Sequence, residues 1–136
     1  PAMNQIEGEV AGDAFVMAGQ CVPLDRARFV AGMADGPAVL GIRPEFIALG
    51  HGELPGTIRL VENTGHEQIV TVELPGGIRV LSRVEAGRRL GIGQQIPVHF
   101  EPDAIHLFET GEEGRRLNSD DDARVIPMRS RGEESR

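Results

Sequence analysis

"IVTVELPGGIRVLSRV", residues 69–84, decides the fold class. Val70, Val72 and Leu74 recur at every second position, with Thr71 and Glu73 between them. After Pro75-Gly76-Gly77 the rhythm resumes: Ile78, Val80, Ser82 and Val84 alternate with Arg79, Leu81 and Arg83. A period of two puts one face of a strand in a core and the other in water. Proline fixes φ and glycine accepts positive φ, so Pro75-Gly76-Gly77 reads as the turn of a hairpin.

The same rhythm extends outward. "QQIPVHFE" places Ile96, Val98 and Phe100 on one face, with His99 outside, and "TIRLVEN" sets Ile58 and Leu60 against Thr57 and Arg59. "VAGDAF" and "ADGPA" carry further turn pairs, and Gly65 in "NTGHE" sits where a positive φ is expected. Glycine and proline number 18 and 9, and before Gly114 the longest stretch free of both is nine residues. A helix of about 11–12 residues has little room there, whereas strands of about 5–6 fit easily. The expectation is an all-β fold of short antiparallel strands. Leu24–Gly32 reads as one or two helical turns or as a strand, and Pro44–Leu49 as a single helical turn. Proline opens the second, a position that suits a helix start.

With 136 residues the chain has one domain's worth of sequence. The ordered domain is expected over residues 1–117, followed by a mobile charged tail over 118–136. The run Asp120–Asp122 reads as solvated. No apolar run approaches the roughly 18 residues of a membrane span. Because Pro1 opens the chain and Met3 is internal, it reads as a piece of something longer.

Composition excludes several chemistries. The net charge is −7 and all 14 basic residues are arginine. Without lysine there is neither a P-loop nor a Schiff base. An acidic surface repels phosphate backbones, and five Phe without Tyr or Trp leave few stacking platforms for single strands. No nucleophile elbow is present, and the carboxylate pairs Glu7/Glu9 and Glu112-Glu113 fall in outward or loop positions. His51, His66, His99 and His106 lack zinc spacing and a cysteine pair. Cys21, the single cysteine, is expected to pack as a small apolar group. No catalytic residue, metal site or cofactor site is expected.

Three segments taken in order carry a resemblance: "PAMNQIEGEV" at the start, "VLGIRPEFIAL" at residues 39–49, and "EPDAIHLFETGEEGRRL" at residues 101–117. With "VENTGHEQIVTVEL" at residues 61–74, this order resembles the C-terminal regulatory TOBE domain of ATP-binding subunits of sugar-importing ABC transporters. The type is that of the maltose and sn-glycerol-3-phosphate importers. The family often has His where this chain has Phe46, and an apolar residue where it has Gln5. "NQIEGEV" also looks like the opening of molybdate-binding Mop-type domains, an alternative that implies a small oxyanion or sugar-phosphate ligand. A second alternative is an OB-type nucleic-acid binder.

The first resemblance implies OB-like barrel modules that follow an ATPase domain and dimerise. It also implies a place on the cytoplasmic side of a membrane, beside permease subunits, with a regulatory protein as a further partner. ATP and Mg would belong to the missing N-terminal domain. Within "GIRPEF", Arg43 and Glu45 stand two residues apart, and on an extended strand end both would face one side. They are expected to tie barrel elements together or to face a partner domain, with Phe46 and Ile47 as the apolar centre of that interface, or else to form a surface ion pair of about 0–1 kcal/mol.

Overall fold

The computed structural model describes residues 2–31, 33–111, 114 and 116–119. The run Asp120–Asp122, the pair Glu112-Glu113 and the chain beyond residue 119 lie outside the described residues.

Among the described residues, nine strands form two antiparallel sheets. They are β1 (Asn4–Ala11), β2 (Ala14–Met17), β3 (Gln20–Pro23), β4 (Gly36–Ile42), β5 (Ile47–Asn63), β6 (Glu67–Leu74), β7 (Ile78–Glu85), β8 (Gln95–Phe100) and β9 (His106–Phe108). The first sheet has the order β3-β2-β1-β4-β9 and the second β7-β6-β5-β8. This is the OB-like all-β architecture expected. Its helical content among the described residues is four single 3-10 turns, at Arg26–Arg28, Pro44–Phe46, Pro75–Gly77 and Pro102–Ala104, against the one or two expected. The second is the turn expected at Pro44–Leu49, and the first settles Leu24–Gly32 as a turn and not a strand. The other two also start on proline, whose missing N–H costs nothing at the first position.

One apolar core joins the sheets. Phe15, Leu40, Ile42, Ile58, Val70, Val72, Val98, Ile105 and Leu107 are all fully buried. The alternation of β6, β7 and β8 holds residue by residue, including Ser82, whose Oγ donates to Ile47 O at 2.6 Å instead of facing water. A β-bulge breaks the alternation in β5. Ile58 pairs with Val72 but Leu60 with Thr71, so Arg59 is the extra residue. The inserted residue reverses the faces beyond it, and Leu60, expected inside, is 44% exposed. Cys21 is likewise outside: it is exposed opposite Val16, and Val22 takes the core position.

A larger irregularity shapes the other edge of β5. Leu49 and Leu54 both register with Val98, so residues 50–53 loop out between them. Gly52 makes the return possible: its φ is +115, and a Cβ there would lie 2.2 Å from Val98 O. Arg88 buttresses the loop by donating from Nη2 to Leu49 O.

Polar side chains stand in for missing backbone partners. Asn4 is buried; its Nδ2 donates to Ile42 O at 3.1 Å and Leu81 O at 3.0 Å, and its Oδ1 accepts from Leu81 N at 2.8 Å. This ties the first sheet to the free edge of β7. Gln68 donates to the carbonyls of Glu85, Ala86 and Arg88, holding the turn after β7. Asn118 accepts from Leu107 N and donates to Ile105 O, and Ser119 N donates to Arg28 O. Asn118, which follows the expected boundary at 117, is thus a buried partner of β9.

Two stability outcomes follow. Gly65 has φ +95, and a Cβ added there would meet nothing within 4 Å, so Gly65→Val introduces backbone strain alone. It should lose about 1–2 kcal/mol in urea unfolding, and an unchanged midpoint would contradict the turn. Asn4→Asp sets a carboxylate against two carbonyls. It should cost about 2–3 kcal/mol at neutral pH, with part of the loss recovered in acid, where a protonated carboxyl can donate again.

Candidate functional site

The "IRPEF" segment leaves β4, makes one 3-10 turn and enters β5. Pro44 is buried and the backbone N–H of Phe46 closes the turn on Arg43 O at 3.0 Å. With about three residues per turn, side chains two apart diverge. Arg43 and Glu45 therefore do not share a side, as an extended strand would have required. Glu45 turns to β7 and lies 3.7 Å from Arg83, which also approaches Glu67 at 3.3 Å. These half-exposed pairs are worth about 0–1 kcal/mol each. Arg43 is exposed on the other side.

Ile47, expected at the centre of an interface, is only 1% exposed. It opens β5 opposite Phe100, with its carbonyl held by Ser82. It belongs to the core, as alternation from Leu49 back to Ile47 requires. Phe46 remains as the exposed apolar member, at 43%. Together with Arg43, it lines a depression of about 260 Å³ whose other walls are Glu101, Asp103, Ala104 and His106. The depression is fixed to the sheet below, since Glu101 N donates to Phe46 O at 3.0 Å. The arrangement offers an aromatic face between a cation and two carboxylates.

The histidines are scattered. The rings of His51 and His99 approach to 5.0 Å between centroids, and His99 Nε2 lies 3.7 Å from Glu101 Oε1. Among the described residues no group of three or more His, Cys, Asp or Glu side chains converges to hold a metal ion. Also among these residues, no helix is long and apolar enough to cross a membrane.

Electrostatic organisation is clearest on the outer face of the second sheet. Glu73 on β6 accepts from Arg59 Nε at 3.0 Å and from Arg79 Nη2 at 3.3 Å. The hydrogen bond from Arg59, then the charges of Arg59 and Arg79, hold its carboxyl below the usual range. Periodicity alone puts Arg59, Glu73 and Arg79 outside; their convergence on one carboxylate comes from strand register, which a single sequence does not reveal.

Comparison with known proteins adds a family. Residues 40–108 match the TOBE domain family, and residues 1–47 match the MalK OB fold domain family. The xylose/arabinose import ATP-binding protein XacK of Haloferax volcanii is 34% identical over 128 residues, covering 88% of this chain and 33% of that protein. The sn-glycerol-3-phosphate import ATP-binding protein UgpC of Cereibacter sphaeroides is 30% identical over 122 residues, covering 86% of this chain and 32% of that protein. The chain thus spans about a third of the length of these relatives. In fold it is similar to the cytoplasmic molybdate-binding protein ModG with molybdate bound. The TM-score is 0.63 at 17% identity, covering 80% of this chain and 97% of that one.

The Glu73 cluster gives a pH outcome. Its folded pKa is depressed, so its contribution is full above the unfolded carboxylate value and is lost as pH falls through the folded one. Glu73→Gln should therefore lower the thermal midpoint slightly at neutral pH, and the gap to the parent should close in acid. A gap that widened on acidification would contradict the assignment.

Proposed function

This chain belongs to the TOBE domain family of ABC importer ATP-binding subunits, and we propose that it serves there as a non-catalytic regulatory and dimerisation module. The observation that carries the reading is the family match across both parts of the chain, residues 1–47 and 40–108. Within the proposal, ATP and Mg are bound by another domain of the parent protein; a chain without lysine has no P-loop of its own. The parent sits at the cytoplasmic face of a membrane beside permease subunits. The relatives' names, as import ATP-binding proteins, support that setting.

Contact chemistry at the "IRPEF" turn supports an interface. A large aromatic is held in water beside an arginine with two acidic neighbours, and aromatic and arginine side chains are the residues that most often anchor interfaces. A two-fold contact must be self-complementary, and a patch carrying Arg43 alongside Glu101 and Asp103 offers both signs. The ModG likeness supports the fold and not a ligand. The oxyanion reading keeps the same fold, but Glu101 and Asp103 beside Arg43 in this depression oppose a bound anion.

Sedimentation equilibrium of the 136-residue chain at micromolar concentration should show a monomer–dimer equilibrium. Phe46→Glu and Arg43→Glu should each shift it at least tenfold toward monomer, as expected for anchor residues. A monomer at every concentration would remove dimerisation from this module. A dimer indifferent to both changes would move the interface elsewhere.

A further inference from the structure

A second concavity lies away from the "IRPEF" turn, on the outer face of the second sheet. It measures about 680 Å³, within the usual range of about 300–1,000 Å³ for small-molecule sites. Strand register builds its floor. Gln95 on β8, Thr57 on β5 and Glu73 on β6 are directly opposite one another in a single row. The neighbouring row sets Pro55 against Pro97. Two residues along a strand share a face, so both rows point into the same space.

The walls come from irregular features of the chain. On one side is the loop that leaves β5 after Leu49, which presents Glu53. The β2–β3 hairpin adds Gln20. The hairpin tip is seated on the β6–β7 turn: a Cβ on Gly76 would lie 2.7 Å from Ala18 Cβ. Ala18 itself is the one described non-glycine residue with positive φ, at 48°. Ala18 and Gly19, φ +77, are the two central residues of the hairpin turn between Met17 and Gln20, a turn that takes positive φ at both and so fixes where Gln20 begins β3.

The lining has a definite chemistry. Gln20, Gln95 and Thr57 are neutral groups that both donate and accept, and Glu53 and Glu73 accept. Arg59 is the sole cation among the lining residues, and it is bound to Glu73. Arg79, just outside the lining, also donates to Glu73, so both guanidiniums are committed to that carboxylate, and Glu53 adds a charge that opposes an anion. Heads on neighbouring strands stand about 4.8 Å apart, the scale of hydroxyls around one sugar ring. The paired proline rings add a flat apolar surface that suits a face of C–H groups. We propose that this groove binds a neutral polyhydroxylated ligand of monosaccharide or polyol size, with Thr57, Gln95 and Gln20 reading its hydroxyls over the Pro55–Pro97 platform.

The proposal is independent of dimerisation: a monomer that binds such a ligand keeps it, and a dimer that does not loses it. The test is amide chemical-shift mapping of the isotopically labelled chain during titration with glucose, xylose and glycerol, and separately with glycerol 3-phosphate and molybdate. Saturable shifts at Thr57, Glu73 and Gln95 are expected with at least one neutral probe at millimolar concentration. Gln95→Ala and Thr57→Val should each weaken that binding about three- to tenfold, the effect of one lost hydrogen bond. Both positions face outward, and unchanged thermal midpoints would confirm that the variants fold. No saturable shift with any neutral probe would overturn the proposal. So would tighter binding of an anion in the groove, or binding indifferent to both variants.

Discussion

One amide side chain bridges the two sheets at the edge of their shared core. Asn4 completes the ladder of β1 with β4 and at the same time bonds both backbone groups of Leu81 on β7. A strand edge inside a protein must find partners for its N–H and C=O groups, or the orphaned groups cost about 1–3 kcal/mol each. A further strand would satisfy them but would close off the place where the "IRPEF" turn packs against β7. An amide presents one donor and one acceptor side by side, as a strand does, in the space of one residue. The position of that turn, and with it the exposure of Phe46, depends on this substitution of side chain for strand.

Alternation made much of the fold legible in advance. The β6–β7 hairpin and the inward set of β8 follow directly from residues 69–84 and 95–100, because a strand with one wet face must alternate. Leu60 was not legible. Its apolar character and its distance of two from Ile58 fit an inward position, and only the bulge at Arg59 turns it out. A bulge is settled by pairing with β6, which is a long-range matter. The looped residues 50–53 illustrate the same point: the glycines announce a turn, but the return of Leu54 to the partner already used by Leu49 depends on β8.

The candidate site was half legible for a related reason. Proline after Arg43 announced a turn, and the single 3-10 turn is there. What the spacing of Arg43 and Glu45 implied depended on whether the backbone was extended or turned at that point, and three residues per turn sent them apart. Ile47 belonged to the core by alternation with Leu49, a signal present in the sequence. The second groove was legible in none of its parts, since Thr57, Glu73 and Gln95 are far apart in the chain and become neighbours only through register.

Exposure of Phe46 is fixed, not incidental. Pro44 before it and Ile47 after it are both buried, the turn is closed by its own N–H, and its carbonyl is taken by Glu101. The ring cannot swing inward without unseating Pro44 or Ile47, each anchored in a packed core where displaced volume is costly. A chain free to bury its aromatics has here pinned one outward, next to an arginine that no carboxylate neutralises at ion-pair distance among the described residues. A scattered surface apolar residue needs no explanation. A ring held out by two buried neighbours and flanked by both signs of charge is built like a contact surface, and the hydrophobic gain from covering it is available to whichever partner matches that pattern.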